Sequence, residues 1–210
     1  MFTGIVQGQA TLLTKKGNHQ LSRFSFQFPD GSLENIQEGA SIAINGTCLT
    51  VTAFNLDKST ACFDAIAETL RLTNLGDLEI NHTVNFERAA KIGDEIGGHL
   101  MSGHIHCTTE VIKIDKTDKN FSLFLKLNTD IKPYILKKGF VGLNGCSLTI
   151  GEVTNEFFNV YLIPETLKIT TFGHFSIGQK VNLELDSQTQ AIVDTVEKIL
   201  ASKTITQKSL

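Results

Sequence analysis

An internal duplication constrains this chain more than any single motif. The segment INGTCLTV at 44–51 returns as LNGCSLTI at 143–150, ETLRLTNLG at 68–76 as ETLKITTFG at 165–173, and HTVNFE at 82–87 as QKVNLE at 179–184. The first pair is offset by 99 residues and the other two by 97, which puts two extra residues in the first copy, most simply in the polar stretch NLDKST. One structural unit is therefore built twice, with about 100 residues available to each copy. Extending the offset of 99 to the N-terminus lays FTGIV on MSGHI. The second copy thus starts inside the histidine-rich stretch GGHLMSGHIH, and His104 stands where the first copy has Ile5.

Within each copy, segments such as SIAINGTCLTVTAF, VNFER, FSLFLKLN and FFNVYLI are short, rich in β-branched and aromatic residues, and bounded by Gly, Asn, Asp and Lys clusters. That is strand chemistry. Five or six such strands per copy, with little room for crossover helices, predict an all-β fold in which each copy closes into an antiparallel barrel and so leaves no exposed edge. Short helical pieces fit GSLENIQEG, TDIKPYILKKG and the two ETL segments. In SQTQAIVDTVEKILAS the apolar Ile192, Val193, Val196, Ile199 and Leu200 recur at helical spacing, and Ser187 with Gln190 forms a capping-box pattern. These readings divide the chain into a first barrel at 1–97, a second at 98–186, an amphipathic helix at 187–202 and a polar, flexible tail at 203–210.

Net charge is −3 with Lys and Arg scattered, so no basic stripe suits nucleic acid and no polybasic patch suits a membrane surface. No stretch approaches the roughly 20 apolar residues that span a bilayer, and the N-terminus lacks a leader pattern. A cytoplasmic protein is expected. The four cysteines, Cys48, Cys62, Cys107 and Cys146, have no CxxC spacing and predict reduced thiols, the last three as packing residues. His99, His104 and His106 could in principle converge on zinc, but the repeat accounts for their position without a metal. On that reading His99 is a structural residue of the turn between barrels and His106 a surface residue.

A duplicated barrel can present two similar pockets. Pairing segments copy by copy sets Gly4, Ile5, Val6 and Cys48, Leu49, Thr50 in one pocket, and Gly103, His104, Ile105 and Ser147, Leu148, Thr149 in the other. One pocket would then hold an imidazole and a hydroxyl, the other a thiol and no imidazole. Such asymmetry suits a reaction between one activated and one passive partner.

The motifs MFTGIVQG, NGTCLTV, ERAAKIGDEIGGHLMSGHI, NGCSLT and the paired ETL segments, in this order, make the chain resemble the riboflavin synthases of the alpha-chain type over essentially its whole length. The resemblance implies tandem six-stranded Greek-key barrels, a homotrimer gathered by C-terminal helices, and a transferase activity. That activity is the dismutation of two 6,7-dimethyl-8-ribityllumazine molecules, in which one donates a four-carbon unit to the other. Two substrate molecules per site are implied, with riboflavin and 5-amino-6-(ribitylamino)pyrimidine-2,4-dione as products and no cofactor or metal. By matching motif, it also implies contacts from the first barrel through Gly4, Ile5, Val6, Cys48, Leu49, Thr50 and the run Asp64, Ala65, Ile66, Ala67, Glu68, Thr69. The second barrel would contribute Gly103, His104, Ile105, Lys138, Ser147, Leu148, Thr149 and the run Ile163, Pro164, Glu165, Thr166, Leu167, Lys168. Strand-edge N–H and C=O groups match the donors and acceptors of a pyrimidinedione, while Thr, Ser and carboxylates can bond ribityl hydroxyls. The carbon acid is the lumazine 7-methyl group; His104 is the candidate base, and Cys48, Ser41, Ser147 and Thr149 the candidates to supply or position a nucleophile. Non-catalytic relatives that hold one lumazine or flavin as a light-emitting antenna share the duplicated barrel, but would have one pocket degraded; here both keep their motifs.

Overall fold

The structure, a computed structural model, describes residues 1–117 and 120–207, with side chains described as far as residue 202. Strands β1 (Gly8–Gly17), β2 (Leu21–Gln27), β3 (Ser41–Ile44), β4 (Thr47–Asn55), β5 (Thr60–Ile66) and β6 (Thr83–Arg88) close into one barrel in the order β1-β2-β5-β4-β3-β6. Strands β7 (Cys107–Lys116), β8 (Phe121–Lys126), β9 (Phe140–Leu143), β10 (Cys146–Val153), β11 (Phe157–Leu162) and β12 (Lys180–Leu185) repeat that antiparallel Greek-key order in a second barrel. The β4–β5 turn at 56–59 corresponds to the tighter β10–β11 turn at 154–156, which is where the repeat offset changes.

Alternating apolar positions fill each barrel. The first is aromatic, with Phe24, Phe26, Phe28, Phe63 and Phe86 packed together, while the second is mainly aliphatic around Leu123, Leu125, Val141, Ile150 and Val160. Full burial of one such side chain contributes about 1.5–3 kcal/mol. Cys146 is packed in the second core, where burial pushes its thiol up to about 12. All four cysteines are free.

Each ETL segment makes a short helix, α1 (Ala67–Leu72) and α2 (Pro164–Ile169), followed by a 3-10 turn at Asn74–Asp77 and Thr171–His174. The other two expected helical pieces differ. GSLENIQEG forms turns only, because Gly31, Asn35 and Gly39 all take positive φ (79°, 56° and 86°), which no right-handed helix accommodates. TDIKPYILKKG keeps one 3-10 turn, Lys132–Tyr134.

The C-terminal helix α3 spans Ser187–Gln207, past the expected end at 202; residues 208–210 of the expected tail lie outside the described residues. Its cap is Asp186 rather than Ser187, with Asp186 Oδ2 accepting from Thr189 N at 2.9 Å and Thr189 Oγ1 at 2.6 Å. Gln190 is drawn instead to His106 Nε2 at 3.0 Å, and Tyr134 donates to Asp194 at 2.6 Å, which fastens α3 to the second barrel. No helix among the described residues is long and apolar enough to cross a membrane.

The barrels meet across a pseudo-twofold axis. Asn85 on β6 accepts from Thr171 N at 2.8 Å and donates to Asn144 O at 3.0 Å; its counterpart Asn182 on β12 accepts from Asn74 N at 2.6 Å and donates to Asn45 O at 2.9 Å. Both side chains are buried, and each completes the hydrogen bonding of the opposite barrel. On the axis the two Asn-Gly turns lie back to back: Asn45, Gly46, Asn144 and Gly145 all have positive φ, as a two-residue hairpin turn requires. A Cβ on Gly46 would stand 2.6 Å from Gly145 N, so no side chain fits there.

Candidate functional site

The segments preceding β1 and β7 run between the barrels and pair with each other, Phe2 N to Met101 O at 2.8 Å and Met101 N to Phe2 O at 3.0 Å. Each is gripped by a carboxylate. Glu87 on β6 accepts from Thr3 N (2.6 Å), Thr3 Oγ1 (2.8 Å) and Gly4 N (3.0 Å); Glu184 on β12 accepts from Ser102 N (2.6 Å), Ser102 Oγ (2.8 Å) and Gly103 N (3.1 Å). Burial pushes both carboxyls up, and the hydrogen bonds oppose that shift. Neither glutamate was expected from the sequence, yet the signal was present: VNFE and VNLE set Asn and Glu on one strand face between apolar neighbours, in both copies.

Beyond the grip the leaders cross over. Gly4 O accepts from Ser147 N at 2.8 Å, and Gly103 O from Cys48 N at 2.9 Å. Val6 packs into the second barrel's core. A Cβ on Gly103 would lie 2.6 Å from Cys48 Cβ, and one on Gly4 2.5 Å from Ser147 Cβ, so only glycine permits either approach. The copy-by-copy grouping of segments is therefore corrected. Gly103, His104 and Ile105 stand beside Cys48, Leu49 and Thr50 on the first barrel; Gly4, Ile5 and Val6 stand beside Ser147, Leu148 and Thr149 on the second.

This exchange redistributes the chemistry. The first wall combines the partly buried Cys48, exposed Thr50, Ser41 opposite Thr50 on β3, and the exposed His104. Its run from Asp64 to Thr69 covers the end of β5 and the start of α1, where both acids are ion-paired: Asp64 to Arg23 and Glu68 to Arg71, each at 2.7 Å. The Arg23 guanidinium holds the Asp64 carboxyl below the usual range. The second wall combines Ser147, exposed Thr149 and exposed Ile5, with Ile163–Lys168 at the end of β11 and along α2. Lys138 is exposed in the turn before β9, its N–H bonded to Ile150 O at 2.9 Å.

His99, expected at the turn between the barrels, is buried against the second wall. Its Nδ1 lies 2.6 Å from Ser147 Oγ, its ring stacks on Phe140 at 5.1 Å, and its Nε2 is buried with no partner among the described residues. Burial lowers its pKa, and nearby Asp186 opposes the shift, so the ring is held neutral. His106 is likewise not a free surface residue: Leu185 N donates to its Nδ1 at 3.2 Å. The three histidines thus face three separate environments, and among the described residues no group of His, Cys, Asp or Glu is placed to hold a metal. Both walls carry exposed residues, and a cleft of about 450 Å³ along the first leader includes Ile5 of the second wall. A cleft of about 640 Å³ between the barrels, floored by Asn45 and Asn144, contains none of the expected site residues, and one of about 710 Å³ behind α1 touches only Ala67 among them.

Two closed Greek-key barrels repeat one unit, each with an exposed wall carrying a Thr and a thiol or hydroxyl, and the class to which this tandem belongs is that of the lumazine-binding-domain proteins. The lumazine binding domain model matches twice, over residues 3–89 and 102–186. The chain belongs to the riboflavin synthase family. It is 52% identical to the riboflavin synthase of Escherichia coli (strain K12), over 97% of this chain and 95% of that one. It is 40% identical to that of Chlamydia pneumoniae, over 96% and 98%. Among solved structures it is similar to LumP complexed with 6,7-dimethyl-8-(1'-D-ribityl) lumazine, with a TM-score of 0.80 and 26% identity over 89% of this chain and all of that one. LumP complexed with riboflavin gives 0.81 and 28% over the same shares.

Proposed function

We propose that the protein dismutates two molecules of 6,7-dimethyl-8-ribityllumazine, one wall holding each, and releases riboflavin and 5-amino-6-(ribitylamino)pyrimidine-2,4-dione. The crossing of the leaders carries this reading. It leaves each wall with a threonine, a thiol or hydroxyl, and an imidazole: His104 with Cys48, His99 with Ser147. His104, open to solvent, is suited to take the 7-methyl proton of one lumazine. Neutral His99 accepts from or donates to the Ser147 hydroxyl according to its tautomer, and so holds that oxygen ready to position a nucleophile on the other. The step needs no metal or cofactor, since the lumazine ring itself delocalises the carbanion.

An open wall completes a site only when a second surface covers it. Two facing walls would do so, and the resemblance implies that the first wall of one chain meets the second wall of its neighbour in a cytoplasmic homotrimer. α3 supports that assembly, with Ile192, Val196 and Ile199 each about half exposed or more, at 65%, 49% and 49%. Incubation with the lumazine alone tests the activity: one riboflavin should appear for every two lumazines consumed. Tight lumazine binding without turnover would instead make the protein an antenna-type binder.

A further inference from the structure

The row of outward side chains crossing each wall differs between the copies. In the first barrel Ser41 lies opposite Thr50 and Arg23 opposite Asp64, and the pairing of Val51 with Phe63 sets Thr50 next to Asp64. The row reads Ser41, Thr50, Asp64, Arg23, and ends in an ion pair. In the second barrel Phe140 lies opposite Thr149 and Ser122 opposite Tyr161, and the pairing of Ile150 with Val160 sets Thr149 next to Tyr161. That row reads Phe140, Thr149, Tyr161, Ser122. The charged pair of one copy is replaced by an exposed phenol ring and a small, buried hydroxyl.

Tyr161 is 60% exposed, yet it does not simply project into water. A Cβ on Gly151 would stand 2.6 Å from Tyr161 Cε2, so the ring leans over the bare backbone of β10, one flank against protein and the other open above the wall. On the far side of Thr149, Phe140 carries the stacked His99 on one face and is itself 45% exposed, so it flanks the wall opposite Tyr161. We infer that Tyr161 is a ring-contacting, specificity-determining residue of the second wall, which lays its open face on a flat heteroaromatic ligand. The first wall has no aromatic ring in the equivalent place, where Asp64 and Arg23 form a charged pair. This rests on the reading that the second wall takes a lumazine or flavin, and it makes the two walls unequal: the second favours the larger, more electron-poor ring.

The chain contains no tryptophan, so riboflavin quenching reports stacking on tyrosine without background from indole. Titration of the full-length protein with riboflavin should show that Tyr161→Ala binds about tenfold more weakly at one class of site and quenches less, whereas Tyr161→Phe keeps the affinity. Tyr161→Asp, which copies the first wall, should behave as the alanine variant. With lumazine as substrate, KM should rise about tenfold and kcat change little, because a ring contact is made alike in ground and transition states. Unchanged affinity and quenching in Tyr161→Ala would overturn the inference. So would a loss that accompanies a smaller sedimenting species, since Tyr161 would then be a subunit contact, and so would a wild type that binds no riboflavin. A wild type that binds riboflavin but forms none from lumazine would sink the reaction and leave the Tyr161 comparison readable.

Discussion

His99 and His104 are near neighbours in the chain and stand on opposite walls in the fold, so their substitutions should separate. His104→Ala removes an exposed imidazole beside Cys48 and should lower turnover by about a hundredfold, the usual effect of losing a general acid or base, while lumazine binding falls much less. Near-normal turnover in steady-state assays would reduce His104 to a piece of wall. His99 has a second, thermodynamic signature. Its folded pKa is depressed by burial below the ordinary 6.5, so on falling pH the unfolded chain takes up a proton before the folded one does. The stability this ring contributes is complete above about pH 6.5 and is lost as pH falls through its lowered native value. Urea unfolding should therefore weaken from pH 7 to pH 5 more steeply in the wild type than in His99→Gln. Parallel pH profiles for the two proteins would show that His99 is not held neutral.

At the scale of elements, the paired Asn-Gly turns and α3 carry the sharpest expectations. Gly46→Ala adds a methyl at a left-handed residue and drives it into the backbone of Gly145, so it should cost about 2 kcal/mol or more, read as a lower urea midpoint at unchanged m-value. Removal of the chain from Ser187 onward deletes the exposed apolar residues of α3, and sedimentation should show a smaller species with most activity gone; an intact, active assembly would refute α3 as the contact. The strands were legible because each barrel alternates apolar and polar residues around turn glycines, and the duplication exposed every strand twice. Helix limits were less legible. Residues 31–39 have helical spacing, but the left-handed Asn35 is a backbone property with no periodic signature. Asp186 outcompeted Ser187 as cap because a carboxylate reaches both the N–H and the hydroxyl of Thr189.

For the whole molecule, the decisive feature is the exchange of leaders across the pseudo-twofold axis, and sequence alignment of the two copies could not reveal it. Alignment says that Gly103 is equivalent to Gly4; it does not say which barrel either one touches, because that depends on a three-dimensional crossing held by Glu87 and Glu184. The crossing changes which residues must be damaged together to inactivate one wall. Cys48→Ala with His104→Ala should destroy the first wall alone, and Ser147→Ala with Thr149→Ala the second wall alone. Each protein by itself should be nearly dead. If sites form between the first wall of one chain and the second wall of its neighbour, random coassembly at equal levels should restore an undamaged pair at roughly a quarter of the interfaces, and activity with it. A third protein, His104→Ala with Thr149→Ala, supplies the control. Grouped by barrel number, both its lesions would lie on one wall, and it should rescue a fourth protein, Cys48→Ala with Thr50→Ala, which is damaged on the first wall alone under either grouping. Grouped by the crossing, the third protein is damaged on both walls and can offer that variant no intact first wall, so no activity should return. Rescue by this third protein, with mixed assemblies verified by mass spectrometry, would refute the crossed walls; failure of the first mixture would place both walls of a site in one chain.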